Sequence, residues 1–334
     1  MLIVPLLSSN RLLKVGFGAG ILLLLLIVFM PGLGGVARWK FEWPDTDFSR
    51  HSIDFAEIRS GGPPKDGIPS IDDPRFVRIA EANIKDTEPV ISVNINGEAK
   101  AYPLTILMFH EIVNDELGGV PISVTYCPLC NSAIVFDRRV GERVLDFGTT
   151  GKLRNSDLVM YDRQTESWWQ QFIGEAIVGE MTGTKLKMLP VRVEAFGRYK
   201  QRLPHGLVQR PPRSFTRSYG TNPYSGYDSS RRPFLYNGPM PDGIAPLAYV
   251  VAVGGEAWSL DLLRRERRIE TGDLVITWEP GQNSALDKRV IAEGRDIGNV
   301  IVQRREGEQF VDEVHDLTFA FAFHAFHPEG VIHQ

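Results

Sequence analysis

The sequence predicts a mainly β fold with short helices, built from two related β modules and preceded by one N-terminal transmembrane helix. Three observations lead to this prediction: short segments of alternating apolar and polar residues, motifs that occur twice in the same order, and one long uncharged apolar segment. The 334 residues suffice for one large domain or two modest ones. The net charge of −4 gives no reason to expect a nucleic-acid partner.

The N-terminal segment carries no charged residue from Val15 to Ala37. A transmembrane helix needs about 20 predominantly apolar residues, so this segment is long enough to span a bilayer. Arg11 and Lys14 precede it, as expected when the N-terminus stays in the cytoplasm. We therefore predict a cytoplasmic tail over 1–14 and a signal anchor over 15–37, with a cleaved signal peptide as the alternative. Either way, we expect the bulk of the chain to lie outside the cytoplasm, in the periplasm or at the cell exterior, and a single-pass protein to have the membrane as a partner.

The rest of the chain divides by composition into four parts. An irregular lead-in over 38–75 precedes a first β module over 76–206, a connection rich in Pro, Gly and Arg over 207–246, and a second β module over 247–334. The segment from Val90 ends in an Asn-Gly turn and predicts a hairpin. A short helix is expected between Tyr102 and Glu111. Alternating Phe319, Phe321 and Phe323 predict a final strand.

The two modules share three sequence blocks in the same order. VNINGEA at 93–99 aligns with VAVGGEA at 251–257, TYCPLCNSA at 125–133 aligns with TWEPGQNSA at 277–285, and RVL at 143–145 aligns with RVI at 289–291. Only the first copy has sulfur, at Cys127 and Cys130, the two cysteines of the sequence; the second copy has Glu279 and Gln282 there. Because a turn of this kind is expected to fold without sulfur in the second copy, we predict that the cysteines have a chemical role.

The Cys-Pro-Leu-Cys turn is compatible with three kinds of chemistry. A disulfide across so short a loop would stabilise the fold little, since the effect grows with loop length. A redox dithiol is normally followed by a helix whose N-terminus lowers the thiol pKa, whereas the residues after Cys130 predict a strand. A knuckle between two strands can direct two thiolates toward one metal ion. We favour metal binding through Cys127, Cys130 and His110, and two thiolates with an imidazole suit copper or zinc.

A second concentration of polar residues follows the cysteines along the chain. We predict that its members could line a groove beside them, although a buried ion pair with core tryptophans would give the same sequence. The groove residues are Glu111, Asn155, Ser156, Asp157, Asp162, Arg163, Trp168 and Gln170.

Several long motifs resemble a known family. FHEIVND, VTYCPLCNSAIVFDR and GKLRNSDLVMYDRQTESWWQQ resemble a bacterial and archaeal family described only as a domain of unknown function, and the resemblance covers roughly residues 66 to 330. In the closing FHAFHPEG segment, phenylalanines stand where the family more usually has tryptophans. The resemblance implies no activity. It marks as hallmark positions His110, Glu111, Cys127, Cys130, Asn155, Ser156, Asp162, Trp168 and Gln170.

The sequence therefore predicts a membrane-anchored, extracytoplasmic protein that binds copper or zinc. Two alternatives stay open: a periplasmic thiol–disulfide oxidoreductase, and a metal-free module that binds a ligand or a protein partner. The residues leave open whether the protein is an enzyme, what its substrate would be, and which proteins it contacts.

Overall fold

The computed structural model describes residues 33–334 and shows a mainly β protein. Residues 15–32 of the predicted signal anchor lie outside the described part of the chain. Within residues 33–334, none of the helices has both the length and the apolar character needed to cross a bilayer.

Five short α-helices are interspersed with the strands of the described residues. The helices are α1 (Leu33–Glu42), α2 (Leu104–His110), α3 (Phe196–Arg202), α4 (Leu260–Glu266) and α5 (Ala320–Phe326). The strands are β1 (Ile58–Ser60), β2 (Arg75–Arg78), β3 (Pro89–Ile95), β4 (Glu98–Pro103), β5 (Ile112–Leu117), β6 (Val120–Cys127), β7 (Ser132–Asp137), β8 (Arg139–Val140), β9 (Arg143–Val144), β10 (Phe147–Arg154), β11 (Asp157–Asp162), β12 (Trp168–Gln170), β13 (Glu175–Val178), β14 (Lys187–Leu189), β15 (Arg192–Ala195), β16 (Leu207–Arg210), β17 (Tyr249–Val253), β18 (Glu256–Ser259), β19 (Arg268–Thr271), β20 (Leu274–Glu279), β21 (Asn299–Glu306), β22 (Gln309–Asp312), β23 (Asp316–Phe319) and β24 (Val331–His333).

In the described residues, these strands form five larger sheets in a propeller-like arrangement, together with the two-stranded ribbon β8-β9. Sheet I has the order β15-β3-β4-β16-β2, and sheet II has the order β14-β7-β6-β5. Sheet III is β1-β10-β11-β12-β13. Sheets IV and V come from the C-terminal part of the chain, with the orders β23-β17-β18-β24 and β19-β20-β21-β22.

Sheets I and IV have the same connectivity. In sheet I, β3 pairs antiparallel with β15 and β4, and β16 then joins β4 in parallel. In sheet IV, β17 pairs antiparallel with β23 and β18, and β24 joins β18 in parallel. Each parallel strand follows a seven-residue helix, α3 in one case and α5 in the other. The two halves interlock, because β23 packs beside β7 and β15 packs beside β21.

Local sequence signals explain the start of the first sheet. Asn96 and Gly97 adopt φ values of 52° and 84°, which are the positive values that an Asn-Gly hairpin turn requires. The chain then passes through β4 into helix α2, within the segment where a short helix is predicted. This helix ends at His110, and Glu111 leaves it with φ 56°.

The predicted final strand through Phe319, Phe321 and Phe323 is wrong. Strand β23 ends at Phe319, and residues 320–326 form helix α5. Phe321, Ala322 and Phe323 are all fully buried, so the helix has no polar side in its first turn to reveal a helical period. The alternation of large and small side chains therefore resembles a strand although the segment is helical.

The largest hydrophobic core cluster includes residues of both halves, from Ile71 to Ala322. A second core cluster packs the N-terminal segment onto sheet III, with Trp43, Phe48 and Trp168 at its centre. The predicted lead-in thus contributes β1 to sheet III, and the predicted connection begins with β16 of sheet I. The domain boundaries given by composition stay predictions, since the core is continuous across them.

Candidate functional site

The two cysteines lie at the ends of a tight turn between β6 and β7. Cys127 pairs with Ser132 across the hairpin, and the Cys130 amide donates a hydrogen bond to the Cys127 carbonyl at 3.3 Å. Pro128 suits the second position of such a turn because its φ is fixed. Asn131 closes the loop with a positive φ of 51°. Both thiols are buried and free.

The second half of the chain holds this turn in place. The Phe319 amide and the Thr318 hydroxyl donate to the Cys130 carbonyl at 3.0 and 2.8 Å. Asn131 donates through its side-chain amide to the Leu317 carbonyl at 2.8 Å. Because these bonds join residues far apart in sequence, the position of the thiols depends on the packing of strand β23 against the turn.

A second hairpin turn, between β10 and β11, faces the two sulfur atoms. The Ser156 carbonyl lies 3.8 Å from Cys127 Sγ and 3.5 Å from Cys130 Sγ. Asn155 and Ser156 both have positive φ, 52° and 63°, a conformation that usually requires glycine at the second position. Serine is strained there, and its hydroxyl donates a hydrogen bond to the Phe234 carbonyl, which helps to hold it.

Asp157 follows this turn directly and completes a three-residue cluster. Its carboxylate and the thiols of Cys127 and Cys130 have ligand atoms that all lie within 4.8 Å of one another. Asp157 Oδ2 accepts hydrogen bonds from Gln170 Nε2 at 2.6 Å and from the Phe172 amide at 3.0 Å. Asp157 Oδ1 is buried and has no hydrogen-bond partner among the described residues. Two bonds therefore orient the carboxylate while one oxygen stays available to a ligand.

Burial raises the pKa of every acidic group in this cluster. It raises the pKa of Asp157 to about 7, although the bonds from Gln170 and Phe172 act in the opposite direction. Burial, with a smaller contribution from the Asp157 charge, raises the pKa of the neighbouring Glu111 to about 8. Burial also raises the pKa of Cys127 and places that of Cys130 well above its usual value. A bound cation would favour the ionised forms of these groups.

The connection between the two halves covers the cysteine turn. The Tyr227 hydroxyl donates to the Leu129 carbonyl and accepts from the Phe234 amide, both at 3.1 Å. Asp228, the next residue, anchors this segment to the second half through Tyr249, Ser284 and Arg295. The predicted connection is therefore a fixed cover over the site.

His110, predicted as the third ligand, lies outside the cluster. Its Nδ1 is 2.8 Å from the Pro69 carbonyl, and its Nε2 is 2.7 Å from the Tyr219 hydroxyl, so both ring nitrogens have partners. In the described part of the chain, the residue that joins the two cysteines in the cluster is Asp157, whereas the sequence predicts the imidazole of His110 there. Glu111, one residue further on, is the group of this segment whose charge acts on Cys127.

The structure separates the predicted groove residues into two groups. Glu111, Asn155, Ser156, Asp157 and Gln170 belong to the cysteine site or to the turn and bonds that support it. Asp162, Arg163 and Trp168 have other roles. Asp162 accepts a hydrogen bond from Trp169 Nε1 at 2.8 Å, Arg163 pairs with Asp72 at 2.7 Å, and Trp168 is part of the second core cluster.

A β-rich protein with a buried dithiol and carboxylate cluster, held between its two halves, is the class that the fold and the site define. The family model described as "Protein of unknown function (DUF3179)" matches residues 65–330, so the chain belongs to that family. No curated protein and no solved structure matches the chain.

Proposed function

We propose that the protein binds a transition metal ion, with zinc favoured over copper, through Cys127, Cys130 and Asp157. The observation that supports this most directly is the buried, unpartnered Oδ1 of Asp157 beside two free thiols. Zinc accepts sulfur and carboxylate oxygen together, whereas copper(I) prefers soft ligands alone. The carboxylate in place of the predicted imidazole is therefore the reason for preferring zinc.

Three protein ligands leave one position of a tetrahedral zinc site open. Zinc proteins fill that position with a fourth side chain or with water. Glu111 is the further buried acid whose charge acts on Cys127, so it is the candidate either to bind there or to accept a proton from a bound water. Whether the protein is an enzyme depends on which of these two roles Glu111 has.

The thiol–disulfide oxidoreductase alternative has weaker support. Thiol exchange needs an accessible thiolate with a lowered pKa, whereas both thiols here are buried and their pKa values are raised. Strand β7 follows the turn, so no helix N-terminus stabilises a thiolate there. The metal-free groove alternative is weakened by the separation of Asp162, Arg163 and Trp168 from the cysteines.

We also propose that the N-terminal segment over 15–37 anchors the protein in the membrane and that the rest lies outside the cytoplasm. The uncharged apolar sequence supports this proposal. In an oxidising compartment two neighbouring thiols tend to form a disulfide, and a bound metal would protect them. Protease added to intact spheroplasts should degrade the full chain, and a chain without residues 1–37 should stay protected; protection of both would contradict the proposal.

Metal analysis of purified protein tests the metal proposal. Protein prepared under reducing conditions should contain close to one zinc ion per chain, and Cys127→Ser/Cys130→Ser should contain almost none. Glu279→Ser/Gln282→Ser changes the aligned positions of the second half and should keep the metal. Equal metal content in the cysteine variant and the unchanged protein would exclude the proposed site, provided that circular dichroism shows both to be folded.

The similar connectivity of the two halves supports the predicted internal duplication. We infer that one ancestral β module gave rise to both and that the metal site belongs to the first alone. The aligned positions of the second half should therefore bind no metal when the cysteines are absent.

A further inference from the structure

An arginine beside the cysteine site is linked to the candidate ligand Asp157 through one buried amide. Arg154 stands opposite Asp157 in the β10-β11 hairpin, and opposite residues of an antiparallel pair point to the same face of a sheet. Gln170 of strand β12 is fully buried and contacts both residues. Its Nε2 donates to Asp157 Oδ2 at 2.6 Å, and its Oε1 lies 3.5 Å from an Nη atom of Arg154, so that the positive charge faces the amide oxygen.

These two contacts permit only one orientation of the Gln170 amide. With the amide reversed, its oxygen would face the Asp157 carboxylate, and its NH2 group would face the guanidinium of Arg154. Arg154 is also the only partner of Gln170 Oε1 among the described residues. Without the arginine, this oxygen would be a buried acceptor with no partner, and the side chain would favour other rotamers. Arg154 therefore holds the amide against Asp157.

The arginine is itself held from two sides. Its Nε donates to Glu57 Oε2 at 2.7 Å, and its guanidinium lies 5.8 Å from the centre of the Phe326 ring. Glu57 directly precedes strand β1, which pairs with β10, so the lead-in brings this carboxylate to the arginine. Among residues 33–334, the ion pair of Arg154 is with Glu57 and not with Asp157. Asp157 Oδ1 consequently has no cationic partner in the described part of the chain and stays available to a metal ion.

We propose that Arg154 is a positioning residue of the metal site, which acts through Gln170 and is held in place by Glu57. This inference rests on the proposed metal binding. Metal ligands commonly have such outer hydrogen-bond partners, which orient the ligand and raise the affinity of the site for its metal. Because Glu57 belongs to the lead-in, the segment that follows the N-terminal apolar sequence takes part in setting the affinity of the site.

The zinc affinity of full-chain variants, measured by competition with a fluorescent chelator, tests this proposal. Arg154→Met keeps an unbranched stem and removes the charge, and it should weaken zinc binding by about tenfold or more. Gln170→Met should weaken it by a similar factor. Because the arginine acts through the amide, Arg154→Met/Gln170→Met should bind zinc no more weakly than Gln170→Met alone. An arginine with a merely structural role would add its own loss to that of Gln170→Met.

Two further variants complete the test. Arg163→Met is the matched control, because Arg163 follows strand β11 of the same sheet and pairs with Asp72 at 2.7 Å, away from the cluster. It should bind zinc as the unchanged protein does. Glu57→Gln is the milder variant, since it breaks a partly exposed ion pair and leaves the arginine in place. It should weaken zinc binding by a smaller factor than Arg154→Met, and only when Gln170 is present.

The outcomes separate this inference from the metal proposal. Equal zinc affinity of folded Arg154→Met and the unchanged protein, or additive losses in the double variant, would overturn the positioning role and leave the metal site in place. If circular dichroism shows that Arg154→Met does not fold, Glu57→Gln decides in the same way, by its effect with and without Gln170. Absence of zinc from the unchanged protein would refute the metal proposal itself and this inference with it.

Discussion

The turns after β6 and β20 share a backbone hydrogen bond and a residue with positive φ, but their side chains differ. In the first half, the Tyr126 amide donates to the Glu111 carbonyl at 2.8 Å, and Glu111 has φ 56°. In the second half, the Trp278 amide donates to the Arg267 carbonyl at 2.9 Å, and Arg267 has φ 62°. The same backbone geometry therefore forms in both halves, although one has sulfur in its turn and the other has none.

The side chains on this common backbone differ in burial. Glu111 is buried beside the cysteines, whereas the exposed Arg267 stacks over the Trp278 ring at 4.4 Å. Cys127 is buried, whereas Glu279 is exposed and pairs with Arg198. At this turn, the first half thus places an acidic side chain in the interior, and the second half places its charged side chains at the surface. The backbone does not require the buried acids, which supports a chemical role for them.

The largest effect is expected when the unpaired carboxylate oxygen is removed. Asp157→Asn keeps the size of the side chain and an oxygen for the bonds from Gln170 and Phe172, but its neutral amide is a poor zinc ligand. We expect zinc affinity to fall by about 100-fold or more. Loss of a residue that only hydrogen-bonds to a metal ligand already lowers metal affinity by about 10- to 100-fold. Competition with a fluorescent chelator measures this change. Unchanged affinity would show that Asp157 is not a ligand.

A smaller effect is expected in the pH dependence of the metal-free protein. Glu111 and Asp157 have folded-state pKa values of about 8 and about 7, above their unfolded values. At these two groups the folded state therefore binds more protons than the unfolded state between about pH 4 and pH 8, so their contribution to the free energy of unfolding falls as pH rises. Each proton that only the folded state binds lowers the free energy of unfolding by at most about 1.4 kcal/mol for every unit of rising pH.

Urea unfolding of chelator-treated protein at pH 5 and pH 8 measures this dependence. Glu111→Gln removes one of the two groups. From pH 5 to pH 8, the free energy of unfolding of this variant should therefore fall clearly less than that of the unchanged protein. Arg267→Gln at the corresponding exposed position should keep the dependence of the unchanged protein. The same pH slope for Glu111→Gln and the unchanged protein would mean that Glu111 is ionised in the folded state throughout this range.

Local signals in the sequence predicted the parts of the fold that depend on neighbouring residues. The hairpin at Asn96-Gly97 and the Cys127–Cys130 turn between two strands are of this kind, because turn chemistry acts over a few positions. The sequence predicts Asp157 as part of a groove beside the cysteines and not as part of their cluster, because its approach to the thiols depends on the β10-β11 turn facing the β6-β7 turn. The Asn155-Ser156 pair before it was the local signal that could have indicated such a turn.

His110 is near the cysteines along the chain but lies outside their cluster in the structure. His110 and Glu111 are equally near the cysteines along the chain, and imidazole is the commoner metal ligand. Helix α2 ends between them, and the positive φ of Glu111 changes the chain direction at that point. The two side chains consequently lie in different surroundings, His110 beside Pro69 and Tyr219 and Glu111 beside the cluster.

The smallest effect is expected for the ion pair of the second turn. Glu279 and Arg198 are 57% and 30% exposed, and a pair so exposed typically contributes about 0–1 kcal/mol. Glu279→Gln should therefore change the free energy of unfolding by less than about 1 kcal/mol, as measured by urea titration, and should leave zinc content unchanged. A larger loss of stability would mean that the second turn depends on its charged side chain to fold. The inference that this backbone folds without specialised side chains would then be wrong.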